Sequence, residues 1–325
     1  MNPRYRRLLI PGLLVLLLVI VVVSSLVQRA DAVAAEPEVV CRISDPRITE
    51  SSGLALSRAY DDIAYTINDS GNDSLIFAID LASGETVGTT RIEGGTLQDT
   101  EALAIDDDGV LWVADTGDNL ERRDDAALYA VPEQGRGDHT VTAKRYPVTY
   151  DSESRNVEAL LVHPVTGAKV LVSKALLRGT IYELPTKLST KRQNVAVARE
   201  GGAPAMITDA TYTTDGRYVV LRNYTSMYLL DPTNDAILGQ APTPEQKQGE
   251  TITAEPDALL VGSEGRGSEL VRVPIPDPKP TVLPTPAAAI DPEPEPVAPM
   301  LYVFGAVGAA VVLGAGVAIW SKRSR

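Results

Sequence analysis

Two short stretches gather charge and oxygen donors as a binding site would. "VLWVADTGDN" (Val110–Asn119) and "IAYTINDSGND" (Ile63–Asp73) each pass from an apolar run into a cluster of acids, amides and glycines. Carboxylates and carboxamides at this density could share a hard cation such as Ca²⁺, with Glu101, Asp115, Asp118 and Asn119 supplying the oxygens. The narrowest such ligand set is Glu101, Asp115 and Asn119. "DTGDN" does not have the spacing of a helix–loop–helix calcium loop. Turn chemistry also explains part of the pattern, because Asp, Asn and Gly tolerate left-handed backbone and bond their own main chain.

Other chemistries are missing from the chain. There are two histidines, His139 in a loop and His163 in the turn "HPVTG". Neither falls near the acidic clusters, so histidine-based catalysis or a His-rich metal site is not expected. No Gly-Xaa-Ser-Xaa-Gly elbow, phosphate loop or Gly-rich dinucleotide motif occurs.

The elements that must position the clusters come from an internal repeat. Five segments share one form: a small or acidic residue, an alternating apolar run, a turn, a second apolar run and a polar cluster. They open at Ser52, Glu101, Glu158, Thr208 and Glu250. "DDDG", "PVTG" and "TTDG" are hairpin turns between β-branched and aromatic runs. A third strand follows in every unit, and a fourth in the first four. "EVVCRIS" (Glu38–Ser44) is left over at the front and could supply the missing strand of the fifth. The pattern predicts an all-β propeller of five four-stranded blades, or six given the length of the second unit.

In such a blade the start of the first strand and the end of the second meet at one rim. The first column reads Ser52, Glu101, Glu158, Thr208 (beside Asp209) and Glu250. The second reads Asp69, Asp115, Lys174, Arg222 and Glu264. Carboxylates crowded at one mouth repel and rise in pKa unless a cation neutralises them. Two arrangements answer this: Ca²⁺ among the oxygens, or Lys174 and Arg222 paired with Glu158 and Asp209 in a fixed network. Turns alone do not call for a lysine and an arginine at these places.

The chain is organised for export. Residues 1–35 read as a signal peptide or N-terminal anchor, with arginines at 4, 6 and 7 before a long apolar run. Residues 36–276 form the propeller, and 277–300 a proline-rich spacer. Residues 301–320 are a chargeless span long enough to cross a bilayer, and the basic tail 321–325 belongs inside by the positive-inside rule. This predicts a protein of the cytoplasmic membrane with one C-terminal span and the propeller outside. Between residues 36 and 320 there are 42 acids and 23 bases, a net charge of −19, which argues against nucleic acid as a partner. Cys41 is the lone cysteine, so no intramolecular disulfide staples the domain.

"ADTGDNLERR" (Ala114–Arg123), "VEAL…LVSK" (Val157–Lys174), "TDA…DGRYVVLRNY" (Thr208–Tyr224) and "QGETI" (Gln248–Ile252) resemble a family of bacterial secreted propeller proteins. More distantly they are similar to the gluconolactonase/strictosidine-synthase-like and esterase-like phytase propellers. That resemblance implies Ca²⁺ and substrate at the channel mouth, near Glu101, Asp115, Asn119, Glu158 and Glu250. The sequence departs from those enzymes in having fewer blades than the lactonases and fewer bases at the rim than the phytases. The expected function is therefore a membrane-tethered binding or scaffold module for an envelope protein or small ligand. The alternative is a cation-dependent hydrolase of lactonase or phosphoesterase type at the same rim.

Overall fold

A computed structural model describes residues 36–69, 74–152 and 155–278. The expected signal segment, the spacer beyond residue 278, the span 301–320 and the basic tail lie outside the described residues. Among those described, no helix is long and apolar enough to cross a membrane, and the regular structure consists of strands.

The strands follow the repeat read from the sequence. After β1 (Glu38–Arg42) come β2 (Ser51–Leu56), β3 (Ile63–Asn68), β4 (Leu75–Asp80) and β5 (Thr86–Glu93), an antiparallel meander. The second unit contains β6 (Thr100–Ile105), β7 (Val110–Asp115) and β8 (Ala127–Pro132), with β9 (Gly137–Thr142) and β10 (Lys144–Tyr150) following. β11 (Val157–Val162), β12 (Lys169–Ser173), β13 (Ile181–Glu183) and β14 (Asn194–Ala198) make the third. The fourth is β15 (Asp209–Tyr212), β16 (Val219–Arg222), β17 (Ser226–Leu230) and β18 (Ile237–Pro242). The last is β19 (Thr251–Ala254), β20 (Ala258–Gly262) and β21 (Glu269–Pro274).

The leftover strand goes where expected. β1 pairs antiparallel with β21, Glu38 opposite Arg272 and Arg42 opposite Glu269, and so covers an edge that would otherwise be open. The extra length of the second unit has a different fate. Its outer segment, which the sequence suggests as one strand, splits in two: β10 completes its own sheet, and β9 pairs parallel with β5 of the first. β10 also pairs parallel with β14, which joins the second and third meanders edge to edge into one eight-stranded sheet.

The first strands form a closed cycle, β2 touching β6, β6 touching β11, then β15, β19 and β2 again. This radial arrangement of antiparallel meanders is a β-propeller. The inner strands are apolar on both faces because each faces two neighbouring sheets. In β7, Leu111 and Val113 pack toward the first meander with Tyr65 and Leu103, while Trp112 and Ala114 pack toward the third with Leu160 and Tyr182. Three further apolar layers fill the remaining gaps between sheets. This layered packing takes the place of the disulfide the chain lacks; Cys41 is a buried free thiol within one layer.

The first strands enclose a channel. At one end a cavity of about 40 Å³ is lined by residues of all five first strands, among them Leu56, Ile105, Val162, Tyr212 and Ala254. The strands begin at the other end, which we call the mouth. β1 runs toward the mouth and β21 away from it, so both described chain ends lie on the opposite face.

Candidate functional site

The mouth is shaped by interruptions in the first hairpins. Pairing skips Glu101 between Thr100 and Ala102, and skips Glu158 between Val157 and Ala159. A bulge of this kind re-aims one side chain without ending the strand. The first unit has the same irregularity at Gly53, not at Ser52, which pairs with Ile67 in regular register. Ser52 instead donates its hydroxyl to the Glu101 carbonyl at 2.8 Å. Gly53 has φ +85°, and a Cβ there would sit 2.3 Å from the Leu103 amide nitrogen, so this corner admits only glycine.

Glu158 belongs to a saturated cluster. Its Oε2 accepts from Lys174 Nζ at 2.8 Å and its Oε1 from Asn156 Nδ2 at 2.8 Å. Lys174 also lies near the ring of Tyr224, whose phenol faces both Lys174 and Glu250. Glu250 accepts from Gln248 Nε2 at 3.1 Å. Burial pushes the Glu158 carboxyl up to about 7 even though Lys174 pulls the other way. Lys174, among Glu158 and Glu250, holds its proton more firmly than usual. Burial also raises Glu250, and the nearby charge of Lys174 opposes it.

Glu101 stands in different company. One carboxylate oxygen each from Asp69, Asp99 and Glu101 lies within 4.8 Å of the others. Burial and the charges of Glu158, Asp69 and Asp99 push Glu101 up to about 10. Glu264, half-buried, is raised to about 7 by desolvation and by Glu250, Asp69 and Glu50.

The remaining expected residues are used for construction. Asp115 is 1% exposed, and its Oδ1 accepts from the backbone amides of Gln98 (3.2 Å) and Asp99 (2.9 Å) and from Arg123 Nη2 (3.0 Å). Asp118 accepts from the Arg123 amide at 2.7 Å and donates its own to Asn156 Oδ1 at 2.7 Å. Asn119 Oδ1 meets Asn156 Nδ2 at 3.2 Å. Asp115 latches the loop before β6, Asn119 joins the Glu158 side, and the acids that meet Glu101 are Asp69 and Asp99.

Asp209 and Arg222 fasten the fourth and fifth units beneath the mouth. The Asp209 carboxylate accepts from the Ile252 amide and from its own neighbour Ala210, each at 2.8 Å. Burial raises its proton affinity well above the ordinary carboxylate range. Arg222 is fully buried and donates to the carbonyls of Thr251 (2.8 Å) and Gly262 (3.1 Å) and to Gln246 Oε1 (3.1 Å). Desolvation lowers Arg222 to about 10, against the pull of Asp209 and Glu250, so it stays charged at neutral pH. Of the two expected base–acid pairs, Lys174–Glu158 forms a direct contact. Arg222 acts on Asp209 through charge while its donors go elsewhere.

The residues absent from the sequence reading share one signal. Asp99, Asn156 and Gln248 each lie two positions before a rim glutamate, in "DTE", "NVE" and "QGE". That spacing returns a side chain to the same side of an extended chain.

The pH dependence follows from Glu158 and Glu264. Their folded-state affinity for a proton exceeds that of an unfolded glutamate. Such groups contribute stability that is complete below about pH 4.3 and is lost as pH rises through about 7. The melting temperature falls from pH 5.5 to pH 8, and for buried Glu158 the change is about 2 kcal/mol. Calorimetry across that range checks it, and Glu158→Gln flattens the slope.

No family model matches the chain, and no curated protein matches it. Among solved structures, a Dos1 propeller is 14% identical with a TM-score of 0.34, and the match covers 66% of this chain and 66% of that one.

Proposed function

We propose that this protein is a binding module that takes a positively charged ligand in the acidic mouth of a five-bladed propeller. On this reading the domain stands outside the cytoplasmic membrane, on the spacer 277–300 and the span 301–320. The observation that carries it is the convergence of Glu101, Glu158 and Glu250 from three first strands, joined by Asp69, Asp99 and Glu264. A mouth with this excess of carboxylates attracts cations before contact and neutralises itself by binding one. Ligands would meet no obstacle from the described chain ends, which leave on the other face.

Titration calorimetry on the full chain in detergent micelles, with spermidine and its acetylated analogue as probes, tests this. Saturable binding of spermidine is expected, weakening with salt and with acetylation. Glu250→Gln reduces it by about tenfold, an ordinary charge-assisted contact. Equal binding of the acetylated analogue, or no loss in Glu250→Gln, overturns the proposal.

A further inference from the structure

Two loops at the mouth hold leucines out in solvent. Leu176 and Leu177 are 82% and 91% exposed, the most exposed of the large apolar side chains among the described residues, and Leu120 is 71% exposed. β7 ends at the mouth with Asp115 and β12 ends there with Ser173, so the loops that follow them lie on that face. One residue joins the two loops. The Asn156 carbonyl accepts the Lys174 amide at 2.9 Å, and Asn156 Nδ2 donates to Asn119 Oδ1 at 3.2 Å. The same Nδ2 holds Glu158 at 2.8 Å, so the leucine loops are rooted beside the acids of the mouth.

Both loops are braced, which a chance exposure of leucine does not require. The Met206 amide donates to the Ala175 carbonyl at 2.9 Å, before the leucine pair. After the pair, Gly179 and Ala203 exchange two backbone hydrogen bonds, at 3.0 and 2.9 Å. A Cβ on Gly179 would lie 2.4 Å from the Ser173 carbonyl oxygen, so the turn closes tightly. In the other loop, the Glu121 amide donates to the Asp118 carbonyl at 2.8 Å and the Arg123 amide to Asp118 Oδ2 at 2.7 Å. Glu121 (φ +50°) and Met206 (φ +58°) adopt left-handed backbone that a side chain disfavours. Apolar surface held rigidly in water gives nothing to folding, and such surface marks an interaction site.

We infer that Leu120, Leu176 and Leu177 form an apolar shelf for a peptide whose single lysine enters the acidic mouth and whose aliphatic side chains rest on the leucines. This rests on reading the mouth as a cation receptor and names the ligand class. Arg122 and Arg178 are exposed in the same two loops, so the shelf itself is not acidic and gains nothing from a second positive charge. An extended peptide turns residues two apart to one side, which suits a leucine two positions from the lysine. Charge disfavours the other occupants: the mouth repels an anionic lipid surface, and a facing second copy brings a second acidic mouth.

The test is titration calorimetry of the full chain in micelles, with the heats of injection into empty micelles subtracted. The probes are acetyl-Leu-Ser-Lys-Ser-Leu-amide and acetyl-Ser-Ser-Lys-Ser-Ser-amide, which carry the same charge. The leucine peptide is expected to bind about tenfold more tightly, the yield of partly burying two leucines. The double variant Leu176→Ser/Leu177→Ser brings the two peptides within about twofold while leaving spermidine binding unchanged. Val165→Ser, on a side chain 79% exposed in the β11–β12 turn at the far face, leaves the preference intact. Equal affinities for the two peptides overturn the inference, as does a preference that survives in the double variant. With equal affinities, a leucine-dependent dimer in sedimentation assigns the surface to a second copy, and leucine-dependent binding to phosphatidylserine nanodiscs assigns it to a lipid surface. If spermidine binds and the peptides are equal, the shelf falls and the receptor reading stands; if neither spermidine nor peptide binds, both fall.

Discussion

Replacing Arg222 by methionine lowers the melting temperature by roughly 10 °C, the largest effect expected of any single change in the domain. The side chain is fully buried, and methionine matches much of its volume, so the loss is electrical. Three acceptors lose their donor: the Thr251 and Gly262 carbonyls and Gln246 Oε1. Asp209 and Glu250 lose the positive charge that faces them. Removing one partner from a buried ionic network costs about 3–5 kcal/mol because the remaining groups stay desolvated and uncompensated. Arg222→Lys recovers only part of this, since an ammonium cannot reach two carbonyls and an amide from one planar fork. Differential scanning calorimetry of the three proteins decides it; a methionine variant within 2 °C of wild type would refute the network described.

Asp115→Ala should come next, at about 3 kcal/mol, while Asp115→Asn costs about 1 kcal/mol. One oxygen of Asp115 accepts the Gln98 and Asp99 amides and Arg123 Nη2. Alanine leaves two backbone amides and a partly buried guanidinium without that acceptor. Asparagine keeps a neutral oxygen for the amides and removes only the charge opposite Arg123, which still has Asp125 at 3.0 Å. The two variants therefore separate the acceptor oxygen from its charge. If Asp115 acted only through its charge opposite Arg123, asparagine would cost as much as alanine. The geometry predicts the opposite, because asparagine keeps the oxygen that the Gln98 and Asp99 amides need. Melting curves of the two variants distinguish the outcomes.

The sequence by itself determined the repeat, and with it most of the architecture. Alternating apolar runs, hairpin turns and a leftover front strand were enough to place β1 against β21, because an open sheet edge has few other remedies. It also located the mouth, since strand starts and second-strand ends must share a rim. The division of labour at that rim was decided by the tertiary structure. Asp115 and Glu101 look equivalent as rim acids in the sequence, yet one is a latch and the other a carboxylate grouped with two further acids. The difference comes from bulges that skip Glu101 and Glu158 and turn them out of the ladder, while Asp115 stays paired opposite Thr100. A one-residue irregularity of this kind leaves no trace in composition or spacing, because the same residues fit a regular ladder equally well. Partners distant in the chain were equally hidden: Asp69 meets Asp99 only because the first strands close into a ring. Each strand's chemistry was local and legible, whereas which carboxylate faced a donor and which faced another carboxylate depended on neighbouring blades.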